Sequence, residues 1–151
     1  MKKRKNEDDS FEKLIYKISQ NEHVLKMKNS IQHGTTTTYS HSLSVAKTSY
    51  KINRKLHMGC DEKTLVTAAF LHDFFLYDWH NEKECPKKHG LVHPKIASDN
   101  AKFYFNINDK EQKIIESHMW PLTFRKPPSS REAAVLCFAD KYCAVKEFFQ
   151  K

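Results

Sequence analysis

Several ionisable side chains of this 151-residue chain stand where apolar residues belong. His41 lies four residues before Val45, in a row that runs on through Ser49, Ile52 and Leu56. His72 shares a helical face with Leu65, Ala68 and Ala69 and is followed at once by Asp73. His118 comes just after Ile114 and Ile115, and Asp140 falls among Ala133, Leu136, Ala139, Cys143 and Ala144. Residues three and four apart share a helix face, so these side chains should point inward. A single buried histidine is ordinarily a satisfied core residue. A buried carboxylate is harder to accommodate, because in an apolar face it is costly unless a cation or a metal pairs with it. No basic residue shares the face of Asp140. Imidazole nitrogens and carboxylate oxygens together can ligate and neutralise a divalent ion, so the joint pattern points to metal. Neighbours on a helix project about 100° apart, so His72 and Asp73 can flank one ion.

The elements that must position these groups are helical. Only three glycines and five prolines interrupt the chain, too few for many short strands and turns. An amphipathic helix is expected from Phe11 to about Met27, with Phe11, Leu14, Ile15, Ile18 and Leu25 on one side. A polar loop follows from Asn29 to Thr37. The next helix should start near Thr38 or Tyr39 and run to about His57, stopped by Gly59. Asp61 can cap a third helix continuing through His72 and Asp73. Trp79 to Leu91 reads as a long loop, of the kind that is often functional. A fourth helix should begin after His93, with Pro94 in its first position. Asn108 can cap a fifth, ending near His118. After the loop Pro121–Pro128, Ser129 or Ser130 opens the last helix, and Ser129 with Glu132 has capping-box spacing. The expectation is an all-α fold of about six helices.

The net charge of +8 favours an anionic partner. Lys2, Lys3, Arg4 and Lys5 are followed by Glu7, Asp8 and Asp9, so residues 1–10 read as a disordered, solvated tail preceding one domain over 11–151. Use of that run as a nucleic-acid arm is the lesser reading. Cys60, Cys85, Cys137 and Cys143 form no CxxC pair, and neither a signal segment nor a membrane-spanning run is evident; a cytoplasmic protein with reduced thiols is expected, without membrane association.

The order of these groups resembles the HD superfamily of metal-dependent phosphohydrolases, whose signature is a His on one helix, a His-Asp doublet on the next, and a distant Asp on a late helix. Here these are His41 in Tyr39-Ser40-His41-Ser42, Leu71-His72-Asp73, and Ala139-Asp140-Lys141, and the likeness extends over about residues 35 to 148. His93 and His118 are similar to the extra ligands of the branch that holds two ions. By that resemblance Asp73 would bridge the ions, His41, His72 and Asp140 would complete one site, and His93 and His118 the other. His89 competes with His93 for this place, which His93 fits better by preceding Pro94.

The resemblance implies one HD-type helical domain and a hydrolase that cleaves a phosphoester or phosphoanhydride by attack of metal-bound hydroxide. It implies a divalent transition metal, two ions of Fe, Mn, Co, Ni or Zn. The substrate would be small and anionic, a nucleotide or other phosphate ester. Where some HD phosphatases carry a catalytic helper shortly after the doublet, this chain has Phe74 and Phe75, leaving Asp78 or His80 as the nearest substitutes. Asp73, Asp78 and Lys141 are thus the candidate catalytic residues. Lys87, Lys88, Arg125 and Lys126 lie in the two loops near His93 and His118, and Trp79 and Trp120 flank them. Two other activities share such a ligand set: a di-iron oxygenase, and a binding or regulatory module without turnover.

Overall fold

The centre of the molecule is a helix with no polar face. In the computed structural model, which describes residues 2–150 with side chains from residue 5, α4 (Glu62–Leu71) is buried at every position from Leu65 to Leu71. A helix apolar all round belongs inside a bundle. It packs against α3 (Thr38–Lys55), α6 (Asp109–Glu116), α1 (Lys2–Ser19) and α7 (Arg131–Phe149), and α5 (His89–Phe105) lies along α6. Phe11, Val45, Ala46, Phe70, Leu71, Phe74, Ile114 and Leu136 meet in one core. Each large side chain removed from water there contributes about 2 kcal/mol. The fold is all-α, with seven α-helices among the described residues and a single two-stranded hairpin, β1 (Ile31–His33) with β2 (Thr36–Thr37). No described helix is long and apolar enough to cross a membrane.

Caps fix where several helices start. Thr37, Asp61 and Ser130 accept the N–H groups of Ser40, Thr64 and Ala133, and Asn108 forms a complete capping box with Glu111.

Several boundaries differ from those expected. The first helix extends through the charged segment to Lys2, where a tail was expected up to residue 10. No Gly or Pro interrupts it, and Asp8 reaches Lys47 of α3 at 3.2 Å. The side chains of Lys2, Lys3 and Arg4, on which a nucleic-acid arm would depend, lie outside the described residues. The same helix stops at Ser19, because Asn21 adopts an extended backbone and its side chain accepts from His23 N–H at 2.9 Å, capping the short α2 (Glu22–Leu25). The expected loop at 29–37 contains the hairpin, closed by Thr38 N–H donating to the Ser30 carbonyl at 2.8 Å. Helix α4 stops one residue before His72, which is its C-cap. Helix α5 begins a turn earlier than Pro94 suggested, at His89, with Leu91 and Val92 N–H groups bonded to the Lys88 carbonyl. Pro94 sits inside it; its ring already holds a helical φ, and the missing donor costs one bond to the Gly90 carbonyl. Ser130 caps α7 in place of the Ser129–Glu132 box, for Glu132 instead accepts Asp61 N–H at 3.0 Å and pairs with Lys110 at 3.1 Å.

Candidate metal centre

Five elements deliver side chains to one buried point. The first turn of α3 brings His41, the end of α4 brings His72 and Asp73, α5 brings His93, the turn after α6 brings His118, and the middle of α7 brings Asp140. All six are buried. His41, His72, Asp73 and Asp140 each place a ligand atom within 4.8 Å of the others, and Asp73, His93 and His118 do the same.

Asp73 belongs to both groups and divides its oxygens between them. Its Oδ2 lies 3.2 Å from His72 Nε2 and 3.8 Å from His41 Nε2. Its Oδ1 lies 3.2 Å from His93 Nε2 and 3.5 Å from His118 Nε2. Asp140 Oδ1 faces the first pair only, 3.0 Å from His41 Nε2 and 3.3 Å from His72 Nε2. Asp73 is itself held by Gln32 on β1, whose amide N–H donates to Oδ2 at 2.7 Å while Thr38 Oγ1 donates to the Gln32 carbonyl at 3.1 Å.

The four histidines present Nε2 to the centre because Nδ1 is occupied elsewhere. His72 Nδ1 donates to the Ala69 carbonyl at 2.7 Å, His93 Nδ1 to His89 at 3.0 Å, and His118 Nδ1 to Ile115 at 2.7 Å. His41 differs: its Nδ1 meets the Glu147 carboxylate at 2.8 Å. Fixing one ring nitrogen as the donor leaves the other as a lone pair, the arrangement by which protein groups orient metal-binding imidazoles. His72 Nε2 and Asp73 Oδ1 are buried with no hydrogen-bond partner. Buried polar atoms seldom go unsatisfied, and a cation held between them would satisfy both. The donor set of imidazole nitrogens and carboxylate oxygens therefore fits a divalent transition metal.

The electrostatics agree. Burial alone would raise the Asp73 carboxyl, yet the charge of His72 and the close approach of the His118, His72 and His93 imidazoles hold it well below the usual carboxylate range. Burial likewise opposes ionisation of Asp140, which His41 and His72 hold low. Burial pulls the His41 imidazole down, but Asp140 and Glu147 outweigh it and bring its pKa to about 9. In the metal-free protein, protons on His41 and His72 supply the positive charge that the carboxylates require.

A cavity of about 640 Å³ opens on this centre, touching Asp73, His93, His118 and Asp140. Lys141 also lines it, with Nζ donating to the His118 carbonyl at 2.9 Å. Trp79 and His89 form part of its wall as parallel rings, and Tyr77 Oη lies 2.8 Å from His89 Nδ1. Asp78 is not brought to this cavity. Its Oδ1 accepts His80 N–H at 3.0 Å in an exposed turn, and it lines a second cavity, with Tyr77 and Glu84, that also touches Asp73. Lys126 pairs with Glu116 and Arg125 stacks on Phe124, both away from the centre. The polar and aromatic groups around the six include three that the sequence did not single out: Gln32, His33 and Glu147. The His33 ring meets that of His41 edge-on at 5.3 Å.

Residues 38–145 match the HD domain family. No curated protein sequence and no solved structure matches the chain.

Proposed function

The chain belongs to the HD domain family, and from that membership and the geometry of its centre we propose that it hydrolyses a phosphoester or phosphoanhydride with two divalent ions. The observation that carries this reading is the division of Asp73, with one oxygen among the Nε2 atoms of His41 and His72 and the other between those of His93 and His118. One carboxylate shared by two donor groups is the layout a bridging ligand needs. His41, His72 and Asp140 would hold one ion with it, and His93 and His118 the other. When bound, such ions polarise a phosphoryl oxygen and lower the pKa of a water near neutrality.

The remaining work falls to the chain. Gln32 keeps Asp73 from rotating, and the carbonyls of Ala69, His89 and Ile115 keep three imidazoles in one tautomer. Lys141 ties α7 to the turn carrying His118, so that Asp140 and His118 keep their separation. Its ammonium also adds positive charge beside the cavity, where charge on a transferring phosphoryl group would develop. Asp78 does not line the cavity that opens on the centre, and we assign it no role in catalysis.

The test is phosphate release by protein loaded with Mn, Fe, Co or Ni, assayed against a range of nucleotides and sugar phosphates. Turnover that disappears in Asp73→Ala together with the metal supports the reading. Oxygen consumption by iron-loaded protein, with no phosphate released from any ester, would transfer the assignment to the di-iron oxygenases.

A further inference from the structure

The outer face of α7 is apolar where a solvent-facing helix is ordinarily charged. Phe138, Tyr142, Val145 and Phe149 follow one another at steps of four, three and four residues and so form one ridge. They are 62%, 51%, 58% and 78% exposed, which leaves on the order of 400 Å² of side chain in water. Exposed apolar patches of that size mark interaction surfaces. All three acidic residues of the helix point the other way. Glu132 accepts Asp61 N–H, Asp140 faces His41 and His72, and Glu147 meets His41 Nδ1.

The charge that flanks the ridge is positive. A cavity of about 190 Å³ between α3 and α7 is lined by Lys47, Lys51, Lys146 and Glu147, and Tyr142 belongs both to it and to the ridge. Lys47 pairs with Asp8 and Glu147 with His41. Lys51 and Lys146 are exposed and have no ion-pair partner among the described residues.

An occupant of this face must be apolar and anionic together. A second copy of the chain fits poorly, because two-fold pairing of one α7 on the other would bring these lysines to a face with no exposed carboxylate. A nucleic-acid duplex meets the lysines but turns only sugar and phosphate toward the ridge. An anionic lipid surface supplies both partners, with negative headgroups over an acyl boundary that accepts apolar side chains. We propose that the outer face of α7 docks on an anionic membrane surface, with Phe138, Tyr142, Val145 and Phe149 entering the headgroup–acyl boundary and Lys51 and Lys146 meeting lipid headgroups. The expectation of no membrane association rested on the lack of a spanning run, which surface docking does not require. The proposal is independent of the chemistry at the metal centre.

The experiment is co-sedimentation of the full chain with phosphatidylcholine vesicles, with and without about one-third phosphatidylserine. Binding to the anionic vesicles alone is expected. Phe138→Ser with Val145→Ser, which leaves the net charge unchanged, should weaken it about tenfold, and so should Lys51→Glu with Lys146→Glu. Lys63→Glu with Lys113→Glu makes the same change in net charge at exposed lysines of α4 and α6 and should weaken it clearly less. Unchanged circular dichroism in each variant shows that the fold is retained. Equal losses in the two lysine pairs, or full binding by the serine variant, would reduce the effect to net charge and overturn the proposal. A dimer in sedimentation velocity that the serine variant breaks, or single-stranded DNA bound where neither vesicle is, assigns the ridge to another occupant and overturns it as well.

Discussion

At the scale of single residues, the centre is built from polar atoms that would be liabilities anywhere else. Asp73 is buried, with Oδ1 unsatisfied, and depends on cationic partners around it. Asp73→Ala removes the one ligand common to both donor groups, so bound metal measured by elemental analysis should fall toward zero rather than to half. Glu147 makes a subtler contribution. It acts through His41 Nδ1, where the other three imidazoles rest on neutral carbonyls. A charged acceptor makes the opposite nitrogen a stronger donor, and loss of such a partner typically costs about 10–100-fold in metal affinity. Glu147→Gln should therefore weaken metal binding by about that factor while leaving the far-ultraviolet circular dichroism unchanged. An unaltered affinity would mean that the carboxylate does no more than fill space at the end of α7.

At the scale of elements, each ligand depends on where a helix stops or starts. His118 reaches the centre from the turn that ends α6, and α6 is only eight residues long, so its capping box matters more than it would on a longer helix. Asn108→Ala should lower stability by about 1 kcal/mol, read as a reduced urea midpoint with an unchanged slope. A shift close to zero would show that packing of Ile114 and Ile115 alone sets the helix. Helices were legible in the sequence wherever an apolar stripe met a cap, as in α4 with Asp61 and α6 with Asn108. His41, His72, Asp73, His118 and Asp140 were legible because they break such stripes or form the doublet, and His93 only through the resemblance to the two-ion branch. Gln32 and His33 were not, since they sit in a polar stretch around Gly34 that becomes a hairpin only by packing on α3 and α7. Glu147 was hidden among Lys146 and the terminal phenylalanines, in a stretch that reads as a solvated helix end. Its place beside the centre arises from a contact with His41, 106 residues away, which no local pattern encodes. Pro94 misled because a proline in a second turn and one in a first turn look alike when the preceding residues are His, Gly and Val.

At the scale of the whole molecule, the centre links folding, metal and pH. In metal-free protein His41 lies between Asp140 and Glu147, and although burial opposes it, these carboxylates raise its pKa from 6.5 to about 9. The folded state thus holds this proton more tightly than the unfolded chain. The resulting stability, on the order of 3 kcal/mol, is fully present below pH 6.5 and is lost as pH rises through about 9. His72 shifts in the same direction and adds to it. Asp140 acts with the opposite sign: its pKa is held below the ordinary 3.8, so its contribution is present above that pH and lost in acid. Metal-free protein should therefore lose stability between pH 6.5 and 9. Metal competes for the same Nε2 lone pairs, so its affinity rises as those protons leave, and binding to the folded state alone stabilises it. Urea denaturation of metal-free and Mn-loaded protein across this interval should give midpoints that separate as pH rises, the first falling while the second holds or climbs. Two curves descending in parallel would mean that metal does not displace the His41 proton, and a metal-free protein that gained stability toward pH 9 would mean that His41 is not held between two carboxylates at all.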